Sequence, residues 1–142
     1  ERESIREFEF ANGAILTSAE VIALTEAPSE GNDYLEGTDN SDVIDALDGD
    51  DTIIGQIGDD TLSGGLGDDD LYGEEGNDTL ICGQGSDSLF GGLGENAYVY
   101  ERGDGSDVIY ADYNSYDTLI FGEGIEPAEI QLTQRNQTFY FA

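Results

Sequence analysis

Seven aspartates stand nine residues apart: Asp33, Asp42, Asp51, Asp60, Asp69, Asp78 and Asp87, with Asn96 at the next step. Two residues before each lies Gly31, Asn40, Gly49, Gly58, Gly67, Gly76, Gly85 or Gly94, and two after each lies Leu35, Ile44, Ile53, Leu62, Leu71, Leu80, Leu89 or Tyr98. Short carboxylates at a fixed period, set among glycines that tolerate positive φ and so can aim carbonyls inward, form a set of oxygen donors. Oxygen donors without imidazole or thiolate partners select a hard cation. Flexible loops offering six or more oxygens suit calcium better than magnesium, which demands a tight octahedron and keeps its water.

Composition removes most other chemistries. The chain has 142 residues, 33 acidic against 4 basic, and a formal net charge of −29. It has no His and no Lys, one Cys and 20 Gly. Without His there is no Ser-His-Asp machinery and no imidazole metal site. Without Lys there is no P-loop and no Schiff base. Cys82 alone makes neither an internal disulfide nor a thiolate cage, and in a loop position it reads as a tolerated small residue. The charge disfavours nucleic acid and anionic membranes as partners. No stretch is apolar for long enough to span a bilayer. The chain opens at Glu1 without a basic, apolar leader, which points to a piece of a longer protein.

The elements that hold the aspartates follow from the period. Read from Gly37 the blocks are GTDNSDVID, ALDGDDTII, GQIGDDTLS, GGLGDDDLY, GEEGNDTLI, CGQGSDSLF and GGLGENAYV, with the partial block GNDYLE before them. Six Gly- and Asp-rich residues make a turn, and three residues make a very short strand. Strand side chains alternate, so the eighth residue faces inward and its neighbours face water. Two units complete a coil of 18 residues, and successive coils pair their strands in parallel at roughly 4.8 Å. The expected fold is all-β: a right-handed parallel solenoid of two thin sheets. Stacking aligns Asp33, Asp51, Asp69 and Asp87 in one column, and Asp42, Asp60, Asp78 and Asn96 in the other. Neighbours in a column repel by roughly 3 kcal/mol at an effective dielectric of about 20. One aliphatic side chain per repeat does not offset that repulsion together with the entropy of ordering so much glycine. The metal-free solenoid is therefore expected to be unstable, and a dication between stacked loops to stabilise it. Three gaps per column give five to six calcium ions, because the Asp78–Asn96 gap has one charged ligand.

The blocks GGLGDDDLY and GQIGDDTLS resemble the GGxGxDxUx nonapeptide of RTX (repeats-in-toxin, haemolysin-type) calcium-binding proteins. The resemblance covers Gly31 to Val99. It implies a parallel β-roll, calcium between the loops, and export from Gram-negative bacteria by a type I secretion apparatus. It also implies a segment that stays unfolded in the calcium-poor cytosol and folds outside, in a secreted or cell-surface protein. Carried over by position, the carboxylate ligands are Asp33, Asp42, Asp51, Asp60, Asp69, Asp78 and Asp87. The carbonyl ligands are those of Gly49, Gly55, Gly58, Gly64, Gly67, Gly73, Gly76 and Gly85. Three places depart from the pattern: Asn40 at a Gly position, Ala46 and Leu47 for a Gly pair, and Asn96 for the last Asp.

The expected organisation is an N-terminal flank over 1–28, the β-roll over 29–99, and divergent repeats with a C-terminal cap over 100–142. The first flank reads as an alternating strand (Ile5, Phe8, Phe10), an Asn12-Gly13 turn and a short helix, with Thr17 and Glu20 at capping-box spacing. It is similar in style to the end of a preceding unit, so neighbouring repeats of a parent protein are expected partners. In the second flank Asp107 and Asp117 take the sixth position at spacings of 11 and 10 residues. The aromatics Tyr98, Tyr100, Tyr110, Tyr113, Tyr116 and Phe121 are expected to cap the open edge, and Ala128 to Thr133 to form a short helix or strand.

Functionally the sequence reads as a calcium-binding, calcium-dependent folding module of a secreted bacterial toxin, adhesin or exoprotein, and not as an enzyme. Two alternatives stay open: an accessory module of an extracellular protease, lipase or polysaccharide-modifying enzyme, or a spacer or binding repeat of a giant adhesin. No window has the 12-residue EF-hand pattern. A glycosidase-like carboxylate pair is inevitable by chance among 33 acids.

Overall fold

The computed structural model describes residues 27–110 and 116–125 with their side chains, and the backbone of four outlying strands. The strands are β1 (Glu7–Glu9), β2 (Ile15–Thr17), β3 (Tyr34–Glu36), β4 (Val43–Asp45), β5 (Thr52–Ile54), β6 (Thr61–Leu66) and β7 (Asp70–Tyr72). They continue as β8 (Thr79–Gln84), β9 (Ser88–Phe90), β10 (Ala97–Tyr100), β11 (Val108–Tyr110), β12 (Thr118–Phe121), β13 (Thr133–Arg135) and β14 (Thr138–Tyr140). No helix occurs among the described residues.

The architecture is an all-β parallel solenoid of the β-roll type. Odd-numbered strands β3, β5, β7, β9 and β11 form one sheet and even-numbered β4, β6, β8, β10 and β12 the other. Each strand pairs in parallel with the strand one coil away: Leu35 lies beside Ile53, Ile53 beside Leu71, and Leu71 beside Leu89. The 18-residue coil expected from the period is thus the observed register. Two later coils are longer. Leu89 pairs with Ile109 and Tyr98 with Leu119, so the stacking continues through β11 and β12 despite the wider spacing.

The core is two files of side chains, one from each sheet. Ile53, Leu62, Leu71, Leu80 and Leu89 are at most 1% exposed, and Tyr98 and Ile109 continue the files. Strand alternation extends beyond the three strand residues. The sixth, eighth and following first residues of successive repeats all face inward: Asp69, Leu71 and Gly73, then Asp78, Leu80 and Cys82. Position one is therefore a core position, and there Ala46 and Cys82 are buried.

Three features mark the ends, and residues 128–132, expected to form a short helix or strand, lie outside the described residues. First, β1 and β2 pair antiparallel, with Glu7 opposite Thr17 and Glu9 opposite Ile15. A strand over Ile15–Thr17 precedes the expected helix, as suits a β-branched Ile15. The capping-box residue Glu20 and the helix expected after it lie outside the described residues. Second, the roll is closed by β13 and β14, which pair antiparallel with each other and, through β14, with β11. Third, the aromatics do not gather into one cap. Tyr98 belongs to a core file, and Tyr100 meets Phe121 edge-on at 6.1 Å. Tyr110 stacks on Phe90, and Phe90 on Tyr72, at 4.3 and 4.6 Å along the outer face of the odd-numbered sheet. Position nine points outward, so parallel stacking brings these rings together every coil. Tyr116 is exposed, and Tyr113 lies outside the described residues.

Candidate metal centre

The sixth-position residues are tied to the next coil by their backbone N–H and, from Asp51 onward, to the preceding coil by their side chain. In the first column the N–H groups of Asp33, Asp51, Asp69 and Asp87 donate to Oδ1 of Asp51, Asp69, Asp87 and Asp107 at 2.7–3.0 Å. In the second column Asp42, Asp60, Asp78 and Asn96 donate to Oδ1 of Asp60, Asp78, Asn96 and Asp117 at 2.8–3.0 Å. The carbonyls of Asp51 and Asp69 accept from Asp70 and Ser88 N–H groups at 2.9 and 2.8 Å. One oxygen of each carboxylate thus belongs to the ladder.

The second oxygen has nothing. Oδ2 of Asp51, Asp60, Asp69, Asp78, Asp87, Asp107 and Asp117 is buried without a hydrogen-bond partner. A buried carboxylate oxygen left unpaired is costly. Repetition of the same orphan at seven aspartates marks a shared, unfilled requirement. A Cβ built on Gly73 would fall 2.3 Å from Asp78 Oδ2 and 2.6 Å from the Gly91 carbonyl oxygen. On Gly55 it would fall 2.5 Å from Asp60 Oδ2 and 2.9 Å from the Gly73 carbonyl, and on Gly64 2.3 Å from Asp69 Oδ2 and 2.5 Å from the Cys82 carbonyl. An anionic oxygen and a carbonyl of the next coil therefore converge where position one lacks a side chain. This donor set fits a hard cation.

Burial gives these groups abnormal acidity. Desolvation raises Asp69 and Asp78 to about 6, against the opposing hydrogen bond from the preceding coil, and like-charged neighbours add to the rise. Asp87 is pushed up to about 8 by burial, with Asp107 and Asp69 beside it. Asp51, Asp60 and Asp107 are raised for the same leading reason.

The expected site residues are not equivalent. Asp51, Asp60, Asp69, Asp78 and Asp87 carry buried orphan oxygens. Asp33 and Asp42 are half-buried and their Oδ2 atoms are occupied. Asp33 Oδ2 accepts from Ser29 N–H and Oγ at 2.7 and 3.0 Å, and Asp42 Oδ2 from Thr38 N–H and Oγ1 at 2.6 and 2.8 Å. At Asn96, Nδ2 donates to the Gly92 carbonyl at 3.4 Å, so that level of the column has no orphan oxygen. The carbonyls of Gly55 and Gly73 lie in the cradles. Those of Gly49, Gly58, Gly67, Gly76 and Gly85 lie against the backbone of the fourth-position glycine one coil on, where a Cβ would fall 1.8–2.1 Å away. Gly64 supplies the open floor of the cradle beneath Asp69. Asn40 does not take the positive φ of the later fourth-position glycines.

The sequence reading placed Asp107 and Asp117 at the sixth position without naming them as ligands, and it missed a second ladder. Asp107 and Asp117 extend the orphan columns across the longer coils. A second ladder runs at position five in the reverse sense. Asp50, Asp68 and Ser86 N–H groups donate back to the Oδ1 of Asn32, Asp50 and Asp68, and Asn77 and Glu95 to those of Asp59 and Asn77. Its signal was present: positions 32, 41, 50, 59, 68, 77 and 86 are all Asn, Ser or Asp.

The model of the RTX calcium-binding nonapeptide repeat matches residues 29–62, 45–80 and 63–98. Residues 29–98 belong to that repeat family. Comparison with curated proteins gave no match. The RTX repeats account for the coils with orphan oxygens up to Asp87, and the two levels beyond, at Asp107 and Asp117, lie outside the matched residues.

Proposed function

We propose that this chain is a calcium-dependent folding module of a type I-secreted extracellular bacterial protein, a toxin, adhesin or exoprotein, with no catalysis of its own. The observation that carries this reading is the buried, partnerless Oδ2 at seven levels, five of them successive from Asp51 to Asp87. Asp51, Asp60, Asp69, Asp78 and Asp87 are the side-chain ligands, and carbonyls of the next coil, those of Gly73, Cys82 and Gly91 among them, complete the cradles. When bound, calcium supplies the positive charge that these oxygens lack. The ladder then fixes each carboxylate, and the position-one glycine leaves the space. Asp33 and Asp42, already satisfied by Ser29 and Thr38, close the first coil and contribute weakly. About five ions fit this arrangement. The absence of His and Lys supports a structural and not a catalytic role.

Far-ultraviolet circular dichroism of the purified chain in chelator and in millimolar calcium tests the proposal. A disordered spectrum in chelator that converts to β on adding calcium is expected. A β spectrum unchanged by chelation would overturn it.

A further inference from the structure

Cys82 occupies position one, where most repeats have glycine, and its side chain projects into the cradle of its own repeat. It is 1% exposed. Its sulfur, a carboxylate oxygen of Asp87 and one of Asp107 lie within 4.8 Å of one another, and all three residues are buried. The Oδ2 atoms of Asp87 and Asp107 have no partner, while their Oδ1 atoms accept from Asp69 and Asp87 N–H groups. A fourth group arrives from a second departure from the repeat. The coil from Asp87 to Asp107 is 20 residues long, and the lengthened loop carries Asp104, which is 6% exposed. Asp104 Oδ2 lies 3.4 Å from Cys82 Sγ, and the Val99 carbonyl is also 3.4 Å away. The thiol has one proton and two acceptors, so it serves one at a time.

Among the described residues this is the one level where a sulfur donor meets orphan carboxylate oxygens. Calcium gains little from sulfur, and the thiol fills space that glycine leaves open at Gly64 and Gly73. Zinc binds cysteine sulfur and carboxylate oxygen together, at four ligands and bond lengths of about 2.0–2.3 Å. We propose that Cys82, Asp87, Asp104 and Asp107 form a separate site for a borderline dication of the zinc type at the end of one calcium column. Binding replaces the S–H bond by a sulfur–metal bond, and the proton leaves to solvent. The inference rests on the reading of the orphan oxygens as cation ligands. It differs in assigning this level to a softer ion.

The test is titration of the calcium-saturated chain with cadmium, read by the ultraviolet thiolate-to-cadmium absorption, with circular dichroism in the same sample. One equivalent of cadmium that raises the band in millimolar calcium is expected. Cys82→Gly, which restores the repeat's own residue, should abolish the band and keep the calcium-induced fold. Asp104→Asn should keep the fold and weaken cadmium binding about 10- to 100-fold. A folded chain that shows no band would overturn the site and leave the calcium reading standing. So would a band with the same affinity in the calcium-free chain, the behaviour of a lone thiol. A chain that calcium does not fold would overturn both.

Discussion

Asp69 has its two carboxylate oxygens in different circumstances. Oδ1 accepts the Asp51 N–H, and Oδ2 is buried alone. Asp69→Asn keeps a carbonyl-type acceptor for the ladder and removes the anionic oxygen. Calcium binding at the adjoining levels should weaken by about tenfold or more, since affinity in oxygen sites follows ligand charge. Isothermal titration calorimetry checks this, and an unchanged isotherm would count against Asp69 as a ligand. The glycines are also unequal. Gly76 has φ of 154°, and a Cβ there would fall 1.8 Å from the Gly58 carbonyl oxygen. Gly76→Ala should destabilise the calcium-loaded roll by at least about 2 kcal/mol. Position two admits side chains at three places. Leu47, Gln56 and Glu74 sit there at φ of 75–81°, the left-handed region. Glu74→Gly should shift stability by no more than about 1 kcal/mol, because relief of strain is set against the entropy of glycine. Thermal melts of both variants in calcium separate the two positions.

Raised carboxylate pKa values make each column respond to pH. A folded-state value above the unfolded one means that the metal-free fold binds more protons than the unfolded chain. Its stability is therefore greatest below about pH 4 and falls as pH rises through the values near 6 for Asp69 and Asp78 and near 8 for Asp87. In chelator, acidification from pH 8 to pH 4 should increase β signal in circular dichroism. In calcium the trend reverses over the same window, because protons compete with the ion for the same oxygens. Absence of any acid-induced ordering in chelator would contradict the burial of these groups.

These columns were legible because a strict period of nine fixes both the register and the inward face. The core files from Leu35 to Leu89, the pairing 18 residues apart and the alternating columns all follow from it. What was not legible depended on the third dimension. Position one looks like loop in a turn-plus-strand unit, yet strand alternation carries it inward, which changes Cys82 from a tolerated substitution into a buried thiol. Asp33 and Asp42 match the pattern, but the first coil has Ser29 and Thr38 to satisfy them. Asp107 and Asp117 were legible at the sixth position, but that their oxygens join the buried columns depends on longer loops bulging without disturbing the stack. The aromatic row of Tyr72, Phe90 and Tyr110 needed sheet geometry to be seen, since these residues are 18 and 20 apart in sequence.

At the scale of the molecule, a net charge of −29 is set against a thin core of one aliphatic side chain per repeat. Such a chain has little apolar burial to oppose its own repulsion. In chelator small-angle scattering should give a radius of gyration approaching the roughly 39 Å of an unfolded chain of this length, contracting on calcium towards the roughly 14 Å of a compact domain. A compact particle in both conditions would contradict calcium-driven folding. The most direct measurement is a crystal structure grown in millimolar calcium, with anomalous scattering to identify the ions. The orphan oxygens of Asp51, Asp60, Asp69 and Asp78 should each lie about 2.3–2.6 Å from a calcium ion. Ion-free cradles, with those oxygens hydrogen-bonded to water or protein, would contradict the account.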